Sequence, residues 1–493
     1  MGLRLYNSMT RRLEDFQPLN PPTVTFYKCG MTVYGPGHLG HGKSALHFDV
    51  MVRWLRFSGL NVKYVQNITD VGHLTGDSED GEDPMIREAR KRGLHPMAVA
   101  EHFSRSWFDD MDGLNMLRPD IMPRATGHVP EQIELAETLI RKGHAYVVNG
   151  SVYFDVSSFP NYGRLSGRTV EEMESGTRVQ VRSEKRHPSD FALWKFAEPE
   201  HIMRWNSPWG EGFPGWHLEC SAMAMKYLGE TIDIHGGGLD NQFPHHECEI
   251  AQSECANGKP FVRYWIHNNM CTINGQKMAK SLGNGVSIRD ILTTAKPLMD
   301  AKGELLLEKA FESAVVRHFI LTSHYRQTQD FSNDSLKAVE SGSYKLRDAL
   351  RELHRAARGA ADKPPADTMR AALADLEGRF RDAMNDDFNT AAAVAVLFDF
   401  VKQSADWIAA GAGREDLASS ALLLERLTND ALGLRWETPK AEQEAKINGL
   451  VGLLAELRSE ARKAKNFALG DQIRQRLTAL GVELRDTPQG TVW

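Results

Sequence analysis

The sequence predicts an α/β domain that is interrupted by a small α+β insertion and followed by an all-α helical bundle. Three observations lead to this prediction. Apolar stretches near the N-terminus follow a strand–helix–strand pattern, a hairpin signal occurs near residue 150, and the chain after residue 346 is a succession of helical patterns. A chain of 493 residues is too long for one hydrophobic core, so several domains are expected.

The first element is a βαβ unit. An extended apolar stretch, 23–33, leads into a glycine-rich turn, and the apolar residues after it recur at helical spacing until Gly59, a typical residue at a helix end. A second strand, 61–68, follows. Because ligands of such sheets gather at the carboxyl ends of the strands, we expect a binding site at the turn that ends in HLGH, 38–41.

Turn and helix-end residues predict the structure of the insertion. Pro130 predicts the start of a helix and Gly143 its end, and Asn149-Gly150 between two short apolar runs predicts a hairpin with a type I′ turn. We therefore expect two halves of an α/β domain around the insertion, then a mostly helical connection and the bundle. The expected bounds, in that chain order, are 1–115, 116–204, 205–290, 291–345 and 346–493.

The composition is that of an ordinary globular protein. The net charge of −6 does not point to nucleic acid, although an acidic chain can still carry a local basic groove. No run approaches 18 apolar residues and the N-terminus has no signal-peptide pattern, so we expect a cytoplasmic protein without a membrane segment. Five cysteines do not make a disulfide framework in a chain of this size.

The turn at 37–44, GHLGHGKS, fits two phosphate-binding motifs. It matches the P-loop pattern G-x-x-x-x-G-K-[ST], in which Lys43 would reach the β- and γ-phosphates. Its HLGH tetrapeptide also corresponds to the HIGH signature of class I aminoacyl-tRNA synthetases. A glycine-rich turn with two solvated histidines is the third interpretation. The turn alone does not decide among them.

Possible metal ligands are dispersed along the chain. Cys29 ends the first strand, Cys220 lies in GWHLEC, and His245 and Glu249 would be one turn apart if 244–256 is a helix. Two thiolates, an imidazole and a carboxylate form a plausible zinc site, although a single cysteine is more often a buried small hydrophobic residue. Competing donors in the same stretch are His246, Glu247 and Cys248.

Two glycine-rich segments complete the set of motifs. In 274–284, NGQKMAKSLGN, Lys277 and Lys280 could neutralise charge on a leaving pyrophosphate, or form a solvated basic loop. In 233–240, DIHGGGLD, three glycines would let a ligand lie against the backbone and Asp240 could pair with an ammonium group. The alternative for the second segment is a simple turn at a strand end.

In this order, the motifs resemble the cysteinyl-tRNA synthetase family of class I aminoacyl-tRNA synthetases. They are Cys29, 38–41 (HLGH), 67–70 (NITD), 215–220 (GWHLEC), 233–238 (DIHGGG), 243–249 (FPHHECE) and 277–281 (KMAKS). The resemblance runs from about residue 20 to the C-terminus. It includes three segments on the RNA side, 386–390, 465–468 and 486–490. Each motif is modest alone, but seven in the order of the family are specific.

The resemblance implies a Rossmann-type class I synthetase catalytic domain with its α+β insertion, a stem-contact region and a helical anticodon-binding domain. The implied reaction joins L-cysteine to ATP as cysteinyl-adenylate, then transfers the acyl group to the 3′-terminal adenosine of cysteine tRNA. The implied cofactors are one Zn²⁺ per subunit and Mg²⁺ with ATP, and the implied state is a monomer.

The resemblance also implies roles for single residues. His38, His41, Lys277 and Lys280 would act on the phosphates. The implied ATP-binding residues are Gly37, His38, Gly40, His41 and Lys280. The implied zinc ligands are Cys29, Cys220, His245 and Glu249, and the cysteine pocket would be completed by Thr69, Trp216 and Asp240.

A zinc ion answers the problem of discriminating cysteine from serine, which differ by one atom. An apolar pocket separates close analogues by only about 10–200-fold, whereas a synthetase needs roughly 10⁴–10⁵, about 5.5–7 kcal/mol. Zinc favours a thiolate over a hydroxyl, and coordination ionises the thiol. No editing domain is required.

Three features depart from the family pattern: Ala279 replaces the usual Ser, Cys248 the usual Asn, and the segment near 295–312 is longer.

Three other functions compete with this one. A cysteine ligase for an amino sugar, as in the mycothiol pathway, resembles the catalytic half but lacks the long C-terminal domain. A P-loop NTPase leaves the zinc ligands and the lysine loop unexplained. Intact HLGH and KMAKS argue against a non-catalytic RNA-binding protein.

Overall fold

The computed structural model divides into two compact units, Met1–Arg435 and Trp436–Trp493. The residues it describes are 2–71, 83–168, 184–198, 201–278, 282–436, 440–480, 482, 484–487 and 490–492. Among them, no helix is both long and apolar enough to cross a membrane.

Strands and helices alternate through the first unit. Its described strands are β1 (Arg4–Asn7), β2 (Arg12–Asp15), β3 (Thr23–Thr32), β4 (Asn61–Thr69), β5 (Ala145–Val148), β6 (Ser151–Phe154), β7 (Phe191–Phe196), β8 (Trp205–Ser207), β9 (Gly210–Pro214), β10 (Ile232–Gly238), β11 (Val262–Asn268), β12 (Cys271–Ile273), β13 (Gln276–Lys277), β14 (Leu298–Met299), β15 (Leu305–Leu307) and β16 (Gln329–Phe331). Its described α-helices are α1 (Leu39–Phe57), α2 (Pro84–Arg92), α3 (Pro96–Gly113), α4 (Val129–Arg141), α5 (Trp216–Leu228), α6 (Glu247–Asn257), α7 (Ile288–Thr293), α8 (Ser313–Leu321), α9 (Asn333–Gly359), α10 (Asp367–Asn385), α11 (Thr390–Ala409) and α12 (Arg414–Glu425).

The second unit contains a helical hairpin and a short β-hairpin. Its described elements are α13 (Lys440–Lys463), α14 (Phe467–Ala479), β17 (Arg485–Thr487) and β18 (Gly490–Val492). Val451 and Ala455 of α13 pack with Leu477 of α14 in a small core of their own.

A four-stranded parallel sheet with the order β11-β10-β3-β4 forms the centre of the first unit. The predicted βαβ unit is confirmed as β3, α1 and β4, and Gly59 has the positive φ of 87° expected at the helix end. The carboxyl ends of β3 and β10 are neighbours, since Lys28 pairs with Gly236. This edge therefore collects Cys29 and the HLGH turn from one strand and the DIHGGG segment from the next.

The insertion is an antiparallel sheet with the order β5-β6-β7-β9-β8. Asn149 and Gly150 have φ of 49° and 80° between the paired Val148 and Ser151, as the type I′ turn signal predicted. The inner face of this sheet joins the main apolar core, where Trp194 is fully buried.

The helical part of the first unit is continuous with the catalytic part. Helix α9 runs from Asn333 to Gly359, so the expected bound between 345 and 346 falls inside it. The first compact unit extends to Arg435 and includes α9 to α12. The five domain bounds stay predictions, but the helical architecture is confirmed for 346–435, whereas the second unit adds the hairpin β17–β18 to the predicted helices.

One of the predicted RNA-side segments, 386–390, is anchored within the first unit. The buried Asp387 carboxylate accepts hydrogen bonds from Tyr6 N at 2.8 Å, the Tyr325 hydroxyl at 2.7 Å and Arg326 Nε at 2.7 Å. Asp387 also has a positive φ of 58°. Its side chain therefore links this segment to strand β1 and to the loop after α8.

Candidate metal and nucleotide site

The HLGH turn forms the start of helix α1. His38 is the N-cap residue, and the backbone N–H groups of His38 and His41 each donate to Nδ1 of the other ring at 3.4 Å. The rings stack with centroids 3.6 Å apart. Because Nδ1 accepts in both rings, a neutral imidazole at either position carries its proton on Nε2, where it can donate to a ligand.

His41 is held in its neutral form. Burial, the neighbouring His38 and the Lys28 ammonium together lower the pKa of His41 to about 3. At neutral pH the ring would therefore contact a phosphate as a hydrogen-bond donor and not as a cation. The positive end of the dipole of helix α1 adds to the attraction for an anion at this turn.

Close approaches at Gly37 and Gly40 show why this turn has no side chains there. A Cβ at Gly40 would lie 3.0 Å from Met278 Cε, and a Cβ at Gly37 would lie 2.8 Å from Asp110 Oδ2. The segment after the lysine loop also pairs with the turn, since Leu39 N donates to Val286 O at 2.9 Å. The structure thus brings the HLGH turn and the beginning of KMAKS together.

The lysine loop is only partly described. Lys277 is exposed on β13, whereas Lys280, like Ala279, lies outside the described residues. The long segment near 295–312 contains the hairpin β14–β15, and a Cβ at Gly283 would lie 2.7 Å from Ala301 Cβ in its turn. This hairpin therefore lies beside the lysine loop.

Lys43 does not face a phosphate site. Its side chain is 1% exposed, and Nζ donates to three backbone carbonyls: Asn269 O at 2.8 Å, Gln327 O at 3.0 Å and Met270 O at 3.3 Å. A P-loop lysine must reach phosphates through an open turn. The letter match at 37–44 is therefore coincidental, because the ammonium joins α1 to two loops.

The four predicted zinc ligands converge at the carboxyl edge of the sheet. One ligand atom from each of Cys29, Cys220, His245 and Glu249 lies within 4.8 Å of the others, and all four residues are buried. The Cys29 and Cys220 sulfurs are 4.0 Å apart, Cys29 Sγ is 3.6 Å from Glu249 Oε1, and His245 Nε2 is 3.1 Å from Glu249 Oε1.

This donor set fits zinc. Tetrahedral angles with bonds of about 2.3 Å to sulfur and about 2.1 Å to nitrogen or oxygen require about 3.8 Å between sulfurs, about 3.6 Å from sulfur to oxygen and about 3.4 Å from nitrogen to oxygen. The observed separations differ from these by a few tenths of an ångström. Burial raises the pKa of both the Cys220 thiol and the Glu249 carboxyl, so a divalent cation would compensate acids that are costly to ionise alone.

A second donor set shares two of these residues. It consists of Cys29, His235, His246 and Glu249. His235 Nε2 lies 2.9 Å from the other carboxylate oxygen of Glu249, and His246 Nε2 lies 3.3 Å from Cys29 Sγ. The sequence flagged His246 as a competing donor but missed His235, although this histidine stands inside DIHGGG at a strand end.

Hydrogen bonds extend from the metal cluster to the N-terminal strand. His246 Nδ1 lies 2.8 Å from His267 Nε2, and His267 Nδ1 lies 2.8 Å from Ser8 Oγ. His217 Nδ1 likewise lies 2.9 Å from His245 Nδ1. Partners of this kind fix the orientation of metal-binding imidazoles.

The other two competing donors face away from the cluster. Cys248 Sγ lies 3.3 Å from the Tyr162 hydroxyl. The Glu247 carboxylate accepts from the backbone N–H groups of Leu165 and Ser166 at 3.1 and 2.9 Å. Among the described residues, neither Cys248 nor Glu247 belongs to a group of four convergent donors.

The three predicted cysteine-pocket residues differ in burial and in the groups they contact. Thr69 is buried and its hydroxyl donates to Glu219 Oε2 at 3.2 Å. The Trp216 ring lies 4.5 Å from the His245 ring, centroid to centroid. Asp240 is exposed in a 3₁₀ turn directly after β10. Of the three, Trp216 contacts one of the four donors, Thr69 contacts the residue before Cys220, and Asp240 is exposed.

Comparisons with known proteins bear on both parts of the first unit. The family model for the catalytic domain of class I tRNA synthetases (C) matches residues 15–341, and the model for the DALR domain matches 379–436. Cysteine–tRNA ligase of Chlorobium luteolum is 52% identical over 504 residues, covering 100% of this chain and 99% of that one. The cysteine–tRNA ligase of Thermus thermophilus is 46% identical over 497 residues with the same coverage.

Solved structures agree with the fold. Methionyl-tRNA synthetase of Mycobacterium tuberculosis in complex with methionyl-adenylate has a TM-score of 0.58 at 14% identity, covering 88% of this chain and 94% of that one. LeuRS of Agrobacterium radiobacter K84 in a ternary complex has a TM-score of 0.60 at 12% identity, covering 85% of each chain. At such low identity, these likenesses concern architecture alone.

Proposed function

The chain belongs to the cysteinyl-tRNA synthetases of class I, and from this premise we propose how its residues join L-cysteine to the 3′ end of cysteine tRNA. ATP is converted to AMP and pyrophosphate in the process. The enzyme acts as a cytoplasmic monomer, with Mg²⁺ accompanying ATP. The observation that carries this proposal is the convergence of the four donors and the HLGH turn on one edge of the sheet.

The first step is adenylate formation. A carboxylate oxygen of cysteine attacks the α-phosphorus of ATP, a new P–O bond forms, and the bond to the oxygen bridging to the β-phosphorus breaks. Pyrophosphate leaves with that electron pair. The Nε2–H groups of His38 and His41 hold the phosphates, while Lys277 and Lys280 stabilise the pyrophosphate. This is catalysis by positioning and electrostatics, without a protein nucleophile.

The second step is acyl transfer. The 2′-hydroxyl oxygen of the terminal adenosine attacks the carbonyl carbon of the adenylate, and AMP leaves with the electron pair of the broken acyl–phosphate bond. The hydroxyl proton passes to a phosphate oxygen of the departing AMP. Thr69, Trp216 and Asp240 position the cysteine moiety. Gly37 and Gly40 let the adenosine lie against the backbone of the HLGH turn.

The zinc ion would be held by Cys29, Cys220, His245 and Glu249. When bound, it supplies the ionisation of the substrate thiol and the preference for sulfur over oxygen. Two thiols favour this set over the one that contains His235 and His246, because soft ligands suit zinc. His235 then orients the carboxylate of Glu249 through their 2.9 Å contact.

The test is cysteine-dependent ATP–pyrophosphate exchange, followed by charging of purified cysteine tRNA. We expect exchange with cysteine, exchange with serine lower by roughly 10⁴ or more, and charging of the tRNA. An amino sugar serves as the competing acceptor, since a cysteine ligase for an amino sugar would share the first step. Transfer of cysteine to the sugar and not to tRNA would overturn the proposal. The match of the DALR domain to 379–436 favours tRNA.

A further inference from the structure

Lys28 is a buried lysine at the edge of the sheet where the ligands gather. It is 6% exposed and lies on β3, directly before the metal-binding Cys29. Neither HLGH nor the zinc ligand set includes it. Its position and its surroundings nevertheless distinguish it from an ordinary surface lysine.

The ammonium of Lys28 is poorly satisfied by the protein. It has three N–H donors, but within the part of the chain that the structure describes its only hydrogen bond goes to Cys29 O at 2.9 Å. Its other close partner is the face of the Phe48 ring, with Nζ 5.6 Å from the centroid. No carboxylate of the described residues lies within ion-pair distance of it. A buried charge with so few partners destabilises the protein unless a ligand completes them.

The direction of the side chain follows from the strand. Neighbouring residues of a strand point to opposite faces, so Lys28 lies on the α1 side of the sheet, where Phe48 belongs, while Cys29 lies on the other. Its bond to Cys29 O shows that the four-carbon stem reaches towards the carboxyl edge. The contribution of Lys28 to the lowered pKa of His41 shows that its charge also acts on the HLGH turn.

The reacting atoms of the two substrates must lie in the region that the Lys28 side chain reaches. According to the proposed function, the cysteine sulfur is held at the metal cluster and the ATP phosphates at the HLGH turn. The cysteine carboxylate and the α-phosphate therefore meet between Cys29 and His41. Both groups are anionic, and both would provide acceptors for the unused N–H donors of Lys28.

We propose that Lys28 binds an anionic oxygen of the substrates at the reacting centre, on the cysteine carboxylate or on the α-phosphate. The inference deepens the proposed function and rests on it. Lys28 becomes a substrate-contacting residue that brings two mutually repelling anions together. It transfers no proton and forms no bond of its own.

The first experiment compares Lys28→Met with Lys63→Met in the full chain loaded with zinc. Lys63 is an exposed lysine on the neighbouring strand β4 and serves as the matched control. We expect Lys28→Met to keep or raise the melting temperature, because it removes a poorly paired buried charge. We expect it to lower kcat/KM for exchange by roughly a hundredfold or more, because one electrostatic contact at the reacting centre is lost. Lys63→Met should change neither. A lower melting temperature with unchanged exchange in Lys28→Met would mean a structural lysine and overturn the inference.

The second experiment finds the anion by calorimetry on wild type and Lys28→Met. If the lysine binds the carboxylate, the variant loses affinity for cysteine but not for cysteamine, which lacks that group. If it binds the α-phosphate, the variant loses affinity for AMP but not for adenosine. Equal losses for both members of each pair, or no loss, would overturn the inference. Absence of cysteine-dependent exchange in wild type would instead remove the proposed function.

Discussion

Arg317 Nη2 lies 2.6 Å from Asp49 Oδ2, and the two side chains are 0% and 3% exposed. The pair ties α8 to α1, the helix that begins at the HLGH turn. Arg317 also donates to Leu432 O at 2.7 Å and Leu114 O at 2.9 Å, so its guanidinium joins four segments of the first unit.

Breaking this buried pair should be costly. We expect Arg317→Met to destabilise the first unit by about 3–5 kcal/mol, because it leaves a buried carboxylate without one of its cations. Denaturant unfolding followed by fluorescence measures the change. The matched control is Arg379→Met, which breaks the exposed pairs with Asp399 and Asp375 and should destabilise the unit far less, because solvent screens those charges. Equal effects of the two substitutions would contradict the prediction.

Lys43→Ala should separate stability from nucleotide binding. The substitution removes three hydrogen bonds from the Lys43 ammonium to backbone carbonyls that join helix α1 to two loops, so the melting temperature should fall. Exchange should stay within about tenfold of wild type, around 1.4 kcal/mol, whereas His41→Ala should lose far more. A folded Lys43→Ala enzyme that is inactive in exchange would restore the P-loop interpretation.

The zinc ligands predict a contrast between two buried cysteines. Cys220→Ser should lose zinc, because it removes a thiolate from the four-donor cluster, and exchange should fall with it. Cys248→Asn should keep one zinc per chain, since its sulfur faces the Tyr162 hydroxyl. Atomic absorption on both preparations decides the matter. Zinc loss in Cys248→Asn, together with zinc retention in Glu249→Gln, would show that the ligand set is wrong.

Asp110 should give the stability of the enzyme a specific pH dependence. Burial raises its pKa to about 7, against the opposing effect of Arg289. The Asp110 carboxyl therefore keeps its proton in the folded state up to about pH 7, whereas in the unfolded state it releases the proton near pH 3.8. The free energy of unfolding therefore decreases as the pH rises from about 3.8 to about 7.

The matching variant is Asp110→Asn, which imitates the protonated carboxyl. Between about pH 5 and pH 7 its stability should gain on wild type by up to about 1.4 kcal/mol per pH unit, and the gain should level off above pH 7. Melting curves across this range measure it. Asp362→Asn, at a side chain that is 82% exposed and that does not act on Asp110, is the control and should run parallel to wild type. Parallel curves for Asp110→Asn as well would refute the assignment.

A chain that ends at Arg435 tests whether the first unit alone forms the adenylate and whether the second unit is needed for charging tRNA. All proposed ATP and cysteine ligands lie in the first unit, so this truncated chain should retain cysteine-dependent exchange. Charging of cysteine tRNA should fall, because the second unit belongs to the region predicted to bind RNA. Undiminished charging would remove that assignment.

Sequence reasoning succeeded where the signals are local. The strand 23–33, the helix end at Gly59 and the Asn149-Gly150 turn are each set by a few neighbouring residues, and the structure places all three as expected. The four dispersed donors were found because the resemblance supplied pairings that spacing alone could not.

What the sequence could not predict depends on distant contacts. The carbonyls around Lys43 come from loops more than 220 residues away, so its burial leaves no local trace. In the sequence, His235 looks like part of a glycine-rich strand end. Only the folded structure shows that it contacts Glu249. Helix α9 continues through 345–346 because its buried residues lie both before and after the expected bound. The amino-acid composition does not change there, so the sequence gives no sign that the helix continues.

The strand β1 is the short piece of chain between two functional regions. Its Tyr6 amide donates to Asp387, in a segment predicted to lie on the RNA side. Two residues further on, Ser8 contacts His267, which contacts His246 and through it Cys29. Coupling between two binding sites through such contacts is reciprocal. If tRNA binding moves Asp387 and thereby changes cysteine affinity by some factor, cysteine binding must change tRNA affinity by the same factor. The N-terminal residues would then let the enzyme bind its two substrates cooperatively.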